Sequence, residues 1–270
     1  MVMVRLELIL GSSGHLISNS VKESLTESFS KSEYYNIDFE INCSRLYNKL
    51  SANSYSLIKS TFSKLDEEII DSKIDAKYSG STANFILILE KRLLCVNCGD
   101  SRAILTQKIE DKNSPIVLKQ NIFSSEFDWT AIALSKDHKP DDEEEKNRII
   151  INNGRIEKYK DNQGPFRVWL KNEETPGLAM SRSLGDSLAK TVGVISEPGK
   201  NFIINKEIYE CEINDNSLFV VIASDGVWEF LSNEEVSKIV MPYYIKNDIN
   251  GALASLVEEA EQIWRQVLLI

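Results

Sequence analysis

Ser217-Leu218-Phe219-Val220-Val221-Ile222-Ala223 reads as the strongest buried strand in the chain, and it is closed by Ser224-Asp225-Gly226. A carboxylate just past the end of a strand is held in a fixed position, and the glycine after it lets backbone or water approach. Hard cations such as Mg²⁺ and Mn²⁺ take oxygen donors and keep several waters, so a few carboxylates of this kind suffice to hold them. Asp225 is therefore a candidate metal ligand. Taken alone, an Asp-Gly after a strand is more often an ordinary turn, so the reading depends on what surrounds it.

Outward from that strand, Ser232 and Glu235 have the spacing of a capping box and open the next helix. Leu253, Leu256, Ala260, Ile263 and Val267 form a 3-4-3-4 stripe, which predicts a C-terminal helix packed on the core. Upstream, Pro140 is expected to open a helix, with Asp141 to Glu145 crowding its first turns, Lys146 and Arg148 later and Gly154 as its stop. Five consecutive carboxylates cannot face one ion, because helical neighbours lie about 100° apart. The acidic run reads as a solvated helix start that complements the dipole. Phe85-Ile86-Leu87-Ile88-Leu89 is continuously apolar, as in a strand covered on both faces. Glu90-Lys91 turns it into a second strand, Leu93 to Cys98. Ala103 to Leu105 and Ile116 to Leu118 are further short strands, and 119–129 reads as a polar insertion. At the start, 5–10 is a short strand and Gly11 to Gly14 a turn. A helix begins near Leu16, with Ile17, Val21, Leu25 and Phe29 at four-residue spacing. After a loop over 30–45, a second helix runs from about Ser44 to Ile70, with Ile58, Phe62, Leu65 and Ile69 on one face. Paired short strands and separate helices predict α+β layers in a single domain over 1–270.

Composition narrows the function classes. The 270 residues are 42% hydrophobic and 27% charged, the balance of a soluble globular protein. A net charge of −10 argues against nucleic acid and anionic lipid as partners. No apolar run approaches the roughly 18–20 residues that span a bilayer. The first ten residues carry Glu7 and have neither a basic leader nor a small-residue cleavage site, so a cytoplasmic or nuclear location is expected. Of Cys43, Cys95, Cys98 and Cys211, only Cys95 and Cys98 have a CxxC spacing. They lie inside an apolar strand, with no second CxxC and only His15 and His138 as histidines. Core packing therefore outweighs a zinc or redox reading.

The specific signal is a set of five segments in order. These are Gly80-Ser81-Thr82-Ala83; Val96-Asn97-Cys98-Gly99-Asp100-Ser101-Arg102-Ala103; and Asp137-His138-Lys139-Pro140, followed by Arg148 through Gly154. Then come Pro176 through Asp186, containing Ser181-Arg182-Ser183-Leu184-Gly185-Asp186, and Ile222 through Ser232 around Asp225. Together they resemble the metal-dependent protein phosphatase 2C (PPM) family over roughly residues 11–265. The resemblance implies a four-layer α-β-β-α sandwich, two central antiparallel sheets flanked by helices, here lacking some terminal strands. It implies a cleft where two Mn²⁺ or Mg²⁺ ions share a water that attacks phosphoserine or phosphothreonine directly. The implied substrate is a phosphoprotein and the implied state a monomer. By motif matching, Asp225 is similar to a ligand of the binuclear pair, and Asp137 to a ligand of a further, weaker ion shared with Asp225. Asp100, Arg102, Arg182, Asp186 and Gly226 are expected to support the site or the loops around it. Arg167 and Trp169 fall in the family's substrate-side region; the plain alternative is an amphipathic strand, with Arg167 outward and Val168 inward. His138 is expected to pack and hydrogen-bond, not to act as the acid.

The chain departs from the family at one decisive place. The family's Asp-Gly-His-Gly aligns with Leu8-Ile9-Leu10-Gly11, so aliphatic residues replace the bridging carboxylate, and Leu10 stands where the general-acid His belongs. The family's upstream Arg and acidic pair and its downstream Asp pair are also without counterparts, so no catalytic residue is identified. Weakened metal binding and little turnover are expected. The chain reads either as an incomplete form of a working phosphatase or as a pseudophosphatase that acts as a binding or regulatory module. A nucleotide-binding reading rests only on Gly11-Ser12-Ser13-Gly14 before a helix, which lacks the Lys and spacing of a P-loop.

Overall fold

The computed structural model describes residues 5–7, 14–30, 58–89, 91–109, 128–159, 164–199 and 209–268. Two antiparallel sheets stack at its centre. The first has the order β1 (Arg5–Glu7), β3 (Ala83–Leu89), β4 (Arg92–Cys98), β11 (Tyr209–Glu212). The second has the order β12 (Ser217–Ala223), β5 (Arg102–Lys108), β6 (Trp129–Ala133). Side-chain alternation explains how one strand serves two cores. On β3, Phe85 faces helix α1 (Gly14–Ser30) and helix α2 (58–70), joining Ile17, Val21, Ile58, Phe62, Leu65 and Ile69. Its neighbour Ile86 faces the other way, into the layer between the sheets, with Cys95, Ala103, Leu105 and Ile132. On β5, Ile104 turns outward again, under Val236 and Leu256 of helices α6 (Asn233–Ile245) and α7 (Ile249–Leu268). The result is helix, sheet, sheet, helix. The expected α+β sandwich is present, and Phe85 and Ile86, adjacent in the apolar run, reach separate cores on the two faces of β3.

A third sheet, β7 (Gly154–Lys158), β8 (Phe166–Leu170), β9 (Pro176–Leu178), packs on α3 (Glu143–Ile151) and on the short helix α4 (Ser187–Lys190) through Ile149, Val168, Ala189, Val192 and Val194. A two-strand pair joins β2 (Gly80–Ser81) to β10 (Leu184–Gly185).

Several sequence expectations are corrected. β12 is not the most buried strand: only Ala223 is buried, and its other residues are half-buried. Among the described strands it lies at the edge of its sheet, paired to β5 alone, so one flank is left without a neighbour to cover it. Trp129 belongs to β6, not to a polar insertion. Thr130, Ala131 and Ile132 are buried there, in a run too short and too mixed to stand out by pattern. α3 starts at Glu143, not at Pro140. Its stop is Asn153 at φ 61, the left-handed residue that ends a helix. Gly154 opens the next strand and is needed for space, since a Cβ there would lie 2.5 Å from Ile149 Cγ2. On α7, Leu256 and Ala260 are buried, whereas Leu253 (41%) and Val267 (56%) are exposed, so the stripe is wider than the face the body covers. The Ser232–Glu235 capping box forms as expected, the Glu235 amide donating to Ser232 Oγ at 3.2 Å and the Ser232 amide to Glu235 Oε2 at 2.8 Å. The expectations at 8–13, 31–57 and 116–127 lie outside the described residues.

Candidate active site

The five sequence segments interlock through buried polar contacts. Thr82 Oγ1 and Ser101 Oγ are 2.7 Å apart, tying the first segment to the second. The Gly99 amide donates to His138 Nδ1 at 3.0 Å, and the His138 amide returns a bond to the Gly99 carbonyl at 3.0 Å. The Ser181 amide donates to the His138 carbonyl at 2.9 Å, bringing in the fourth segment. Trp228 Nε1 donates to the carbonyls of Ala223 at 2.7 Å and Arg102 at 3.0 Å, closing the fifth onto the second. Burial pushes the His138 pKa down to about 3, opposed by Glu145 and the Gly99 contact. His138 is thus a neutral structural acceptor.

Around this frame, the ends of β4, β5 and β12 place charged groups together. Arg102 holds Asp137 by a two-point fork, Nε to Oδ1 at 2.9 Å and Nη2 to Oδ2 at 2.7 Å. A further nitrogen donates to Asn233 Oδ1 at 2.9 Å, and the guanidinium lies 5.1 Å from the Trp228 ring. Lys139 Nζ donates to Asp100 Oδ2 at 2.6 Å, and Asp100 is buried. Asp225, first residue of the short helix α5 (Asp225–Trp228), lies within the electrostatic reach of Glu229, Lys139 and Asp137. Burial, then the charges of Glu229 and Asp137, raise its pKa, while Lys139 and the Gly226 amide lower it. Burial raises the Asp100 pKa too, with Asp225 and Asp137 adding to the rise and Lys139 opposing it. Asp225, Asp137, Asp100 and Arg102 are therefore brought together. Glu229 and Lys139 join them; the sequence reading assigned neither a role, although both lie inside its motifs.

The remaining candidates are elsewhere. Arg182 donates from Nε to Glu145 Oε1 at 3.0 Å and from Nη1 to the Glu197 carbonyl at 3.1 Å. Asp186 is buried close to Gly80, in the field of Lys190 and Asp66. Arg167 donates to the Gly177 carbonyl at 2.6 Å. Trp169, stacked at 6.1 Å on Tyr159, lines with Arg167, Glu174 and Pro176 an open hollow of about 570 Å³ on the third sheet. Val168 points inward, fully buried. Glu145 corrects the reading of the acidic run. It is buried, and it accepts from Arg148, Arg182 and Ser181. Burial opposes its ionisation, but the two guanidinium groups hold its pKa well below the usual carboxylate range. The signal that could have found it is Arg148 three residues later on the same helical face. Cys95 and Cys98 are buried in the core, and burial pushes the Cys98 thiol up to about 12, so neither is a thiolate near neutral pH.

As placed, these residues do not fit a two-ion centre. Both oxygens of Asp137 are on Arg102, and one oxygen of Asp100 is on Lys139. Among the described residues, no group of three or more His, Cys, Asp or Glu side chains is disposed to hold a metal. No described helix is long and apolar enough to cross a membrane.

A family model described as "Protein phosphatase 2C" matches residues 21–260. "Probable protein phosphatase 2C 12" of Oryza sativa subsp. japonica is 38% identical over 207 residues, covering 76% of this chain and 46% of that protein. "Probable protein phosphatase 2C 65" of Arabidopsis thaliana is 31% identical, covering 94% of this chain and 61% of that protein. The chain spans about half the length of the first of these relatives. Among solved structures, a serine-threonine phosphatase 2C from Toxoplasma gondii superposes with a TM-score of 0.66 at 16% identity, over 97% of this chain and 79% of that one, a likeness of fold.

Proposed function

This chain belongs to the protein phosphatase 2C family, and on that premise we propose that it serves the removal of phosphate from phosphoserine and phosphothreonine in proteins, with its own turnover impaired. The observation that carries the reading is the family match over residues 21–260 together with the shared electrostatic field of Asp225, Asp100 and Asp137 beside the strand ends, although as placed these carboxylates do not form a metal centre. The impairment rests on two facts: Leu8, Ile9 and Leu10 offer no donor side chain, and Arg102 and Lys139 engage two of the carboxylates. Within this reading Asp225 and Asp137 are the metal-side residues, and Asp100, Arg102 and Gly226 support them. Arg182 and Asp186 brace the loops. Arg167 and Trp169, at the hollow on the third sheet, meet the substrate chain. The proposal includes one domain over 1–270, a monomer in the cytoplasm or nucleus, and no nucleic-acid or membrane partner.

A second reading, a binding or regulatory module without catalysis, is favoured by one observation: internal cations already pair with Asp137 and Asp100. The discriminating assay measures phosphate release from a phosphothreonine peptide by the purified chain in millimolar Mn²⁺. Slow, Mn²⁺-dependent release that disappears in Asp225→Asn supports the phosphatase reading. Release no greater than that of Asp225→Asn supports the module. Release as fast as that of a complete relative contradicts the alignment at Leu8–Gly11.

A further inference from the structure

Resting on the phosphatase reading of the chain, we propose that the hollow on the third sheet docks a proline-containing segment of the phosphoprotein, and that a basic residue of that segment pairs with Glu174.

The hollow has a fixed floor. Trp169 is buried, its Nε1 donates to the Glu157 carbonyl at 3.0 Å, and its ring is stacked with Tyr159. Gly177 closes on the same ring, since a Cβ there would lie 2.8 Å from Trp169 Cζ3. Tyr159 is 55% exposed, so part of its ring stays open to a ligand. With Pro165 and Pro176 it gives the hollow walls of flat apolar rings. Such walls suit proline rings, because a segment already held in the polyproline conformation loses little entropy on docking. The polar inventory points the same way. The Trp169 indole N–H is already spent, and Pro165 and Pro176 have none to offer. What remains for a ligand is the Tyr159 hydroxyl and the guanidinium N–H groups that Arg167 does not spend on the Gly177 carbonyl. Donors of this kind call for ligand carbonyls, and proline keeps its carbonyl while removing the amide that these walls could not satisfy. Glu174 sets the charge. It is exposed on the rim of the hollow, and its carboxylate has no partner among the described residues, whereas Glu157 is paired with Arg155. A Lys or Arg in the docked segment answers it, and the net charge of −10 favours the approach of basic segments. The volume, about 570 Å³, lies within the roughly 300–1,000 Å³ of ligand sites, and the hollow is open, so a chain can pass through it. Pro176 is followed five residues later by Ser181, whose amide binds the His138 carbonyl. Five residues span at most roughly 18 Å, so the docked segment sits near the frame that carries Asp137.

The test titrates the full chain into a fluorescein-labelled peptide, Ala-Pro-Pro-Ala-Pro-Arg, and follows fluorescence anisotropy. The peptide is expected to bind, and an analogue with every proline replaced by alanine to bind at least about tenfold more weakly. Tyr159→Ala should weaken binding of the proline peptide by a similar factor. Replacing the peptide's arginine by glutamate should weaken binding to the wild type, and Glu174→Gln should remove that preference. Equal binding of the alanine analogue, or binding untouched by Tyr159→Ala, overturns the proposal. Tighter binding of the glutamate peptide than of the arginine peptide overturns it as well and assigns the hollow to anions through Arg167. The peptide comparisons need only the wild type, so they decide even if a variant fails to fold. The peptides carry no phosphate and no metal is added, so failure here leaves the phosphatase reading standing, and absence of turnover leaves the titration readable.

Discussion

Arg102 grips both carboxylate oxygens of Asp137, at 2.9 and 2.7 Å, although the two residues are 35 positions apart. The fork joins the start of β5 to the loop before α3, and the bond to Asn233 extends it to the first residue of α6. Three segments that are distant in sequence are thereby held at one end of the sandwich.

Cutting that fork should cost stability. Arg102→Met leaves the Asp137 carboxylate, 15% exposed, without its partner. A loss of about 2–3 kcal/mol in urea unfolding is expected, less than for a fully enclosed pair because both side chains keep some solvent. Arg102→Lys should recover only part of it, since an ammonium cannot form the fork.

Glu145→Gln removes the anion shared by Arg148 and Arg182, whose side chains are 22% and 12% exposed. Two guanidinium groups are then left facing each other, and a loss of about 3 kcal/mol or more is expected. The sign with pH follows from the depressed pKa. The wild-type contribution is full above the ordinary value of 4.5 and is lost as pH falls through the lower folded value. The gap in melting temperature between wild type and variant should therefore narrow on acidification below that point.

His138 gives a different pH signature. Its folded pKa, about 3, lies below its ordinary 6.5, so in between the unfolded chain binds a proton that the folded chain refuses. Wild-type stability should fall as pH drops through that window, by up to ~1.4 kcal/mol per pH unit from this residue. His138→Asn, whose carbonyl can still accept from the Gly99 amide, should lack that component. Unfolding free energies of both proteins across the window check it.

Asp225→Asn should separate stability from function. The raised pKa of Asp225 means that burial and its acidic neighbours oppose its charge in the folded state. Its contribution is full below the ordinary 3.8 and is lost as pH rises through the raised folded value. The neutral variant should therefore melt above the wild type near neutral pH, with the difference vanishing in acid. The same variant should abolish any Mn²⁺-dependent phosphate release. A variant that melts lower at neutral pH would contradict the electrostatic account.

Local signals carried much of this architecture. Ser232 and Glu235 announce a helix start because the capping bonds close within four residues. Phe85 and Ile86 announce a doubly covered strand because adjacent apolar side chains, which point to opposite faces, must each find a core. Less legible were features set by a partner far along the chain. Glu145 looks like its solvated neighbours until Arg182 reaches it from 37 residues away. β12 looks central by composition, and only its pairing partners reveal an edge.

The amino-acid order alone determined the family and the layered fold, because five motif segments and the two side-chain periods are properties of neighbours in the chain. Which carboxylates share a field, and which protein cation answers each, was decided only by tertiary structure. Charge interaction depends on distance through space, and the approach of Lys139 to Asp100 and of Arg102 to Asp137 exists only once the strand ends are stacked.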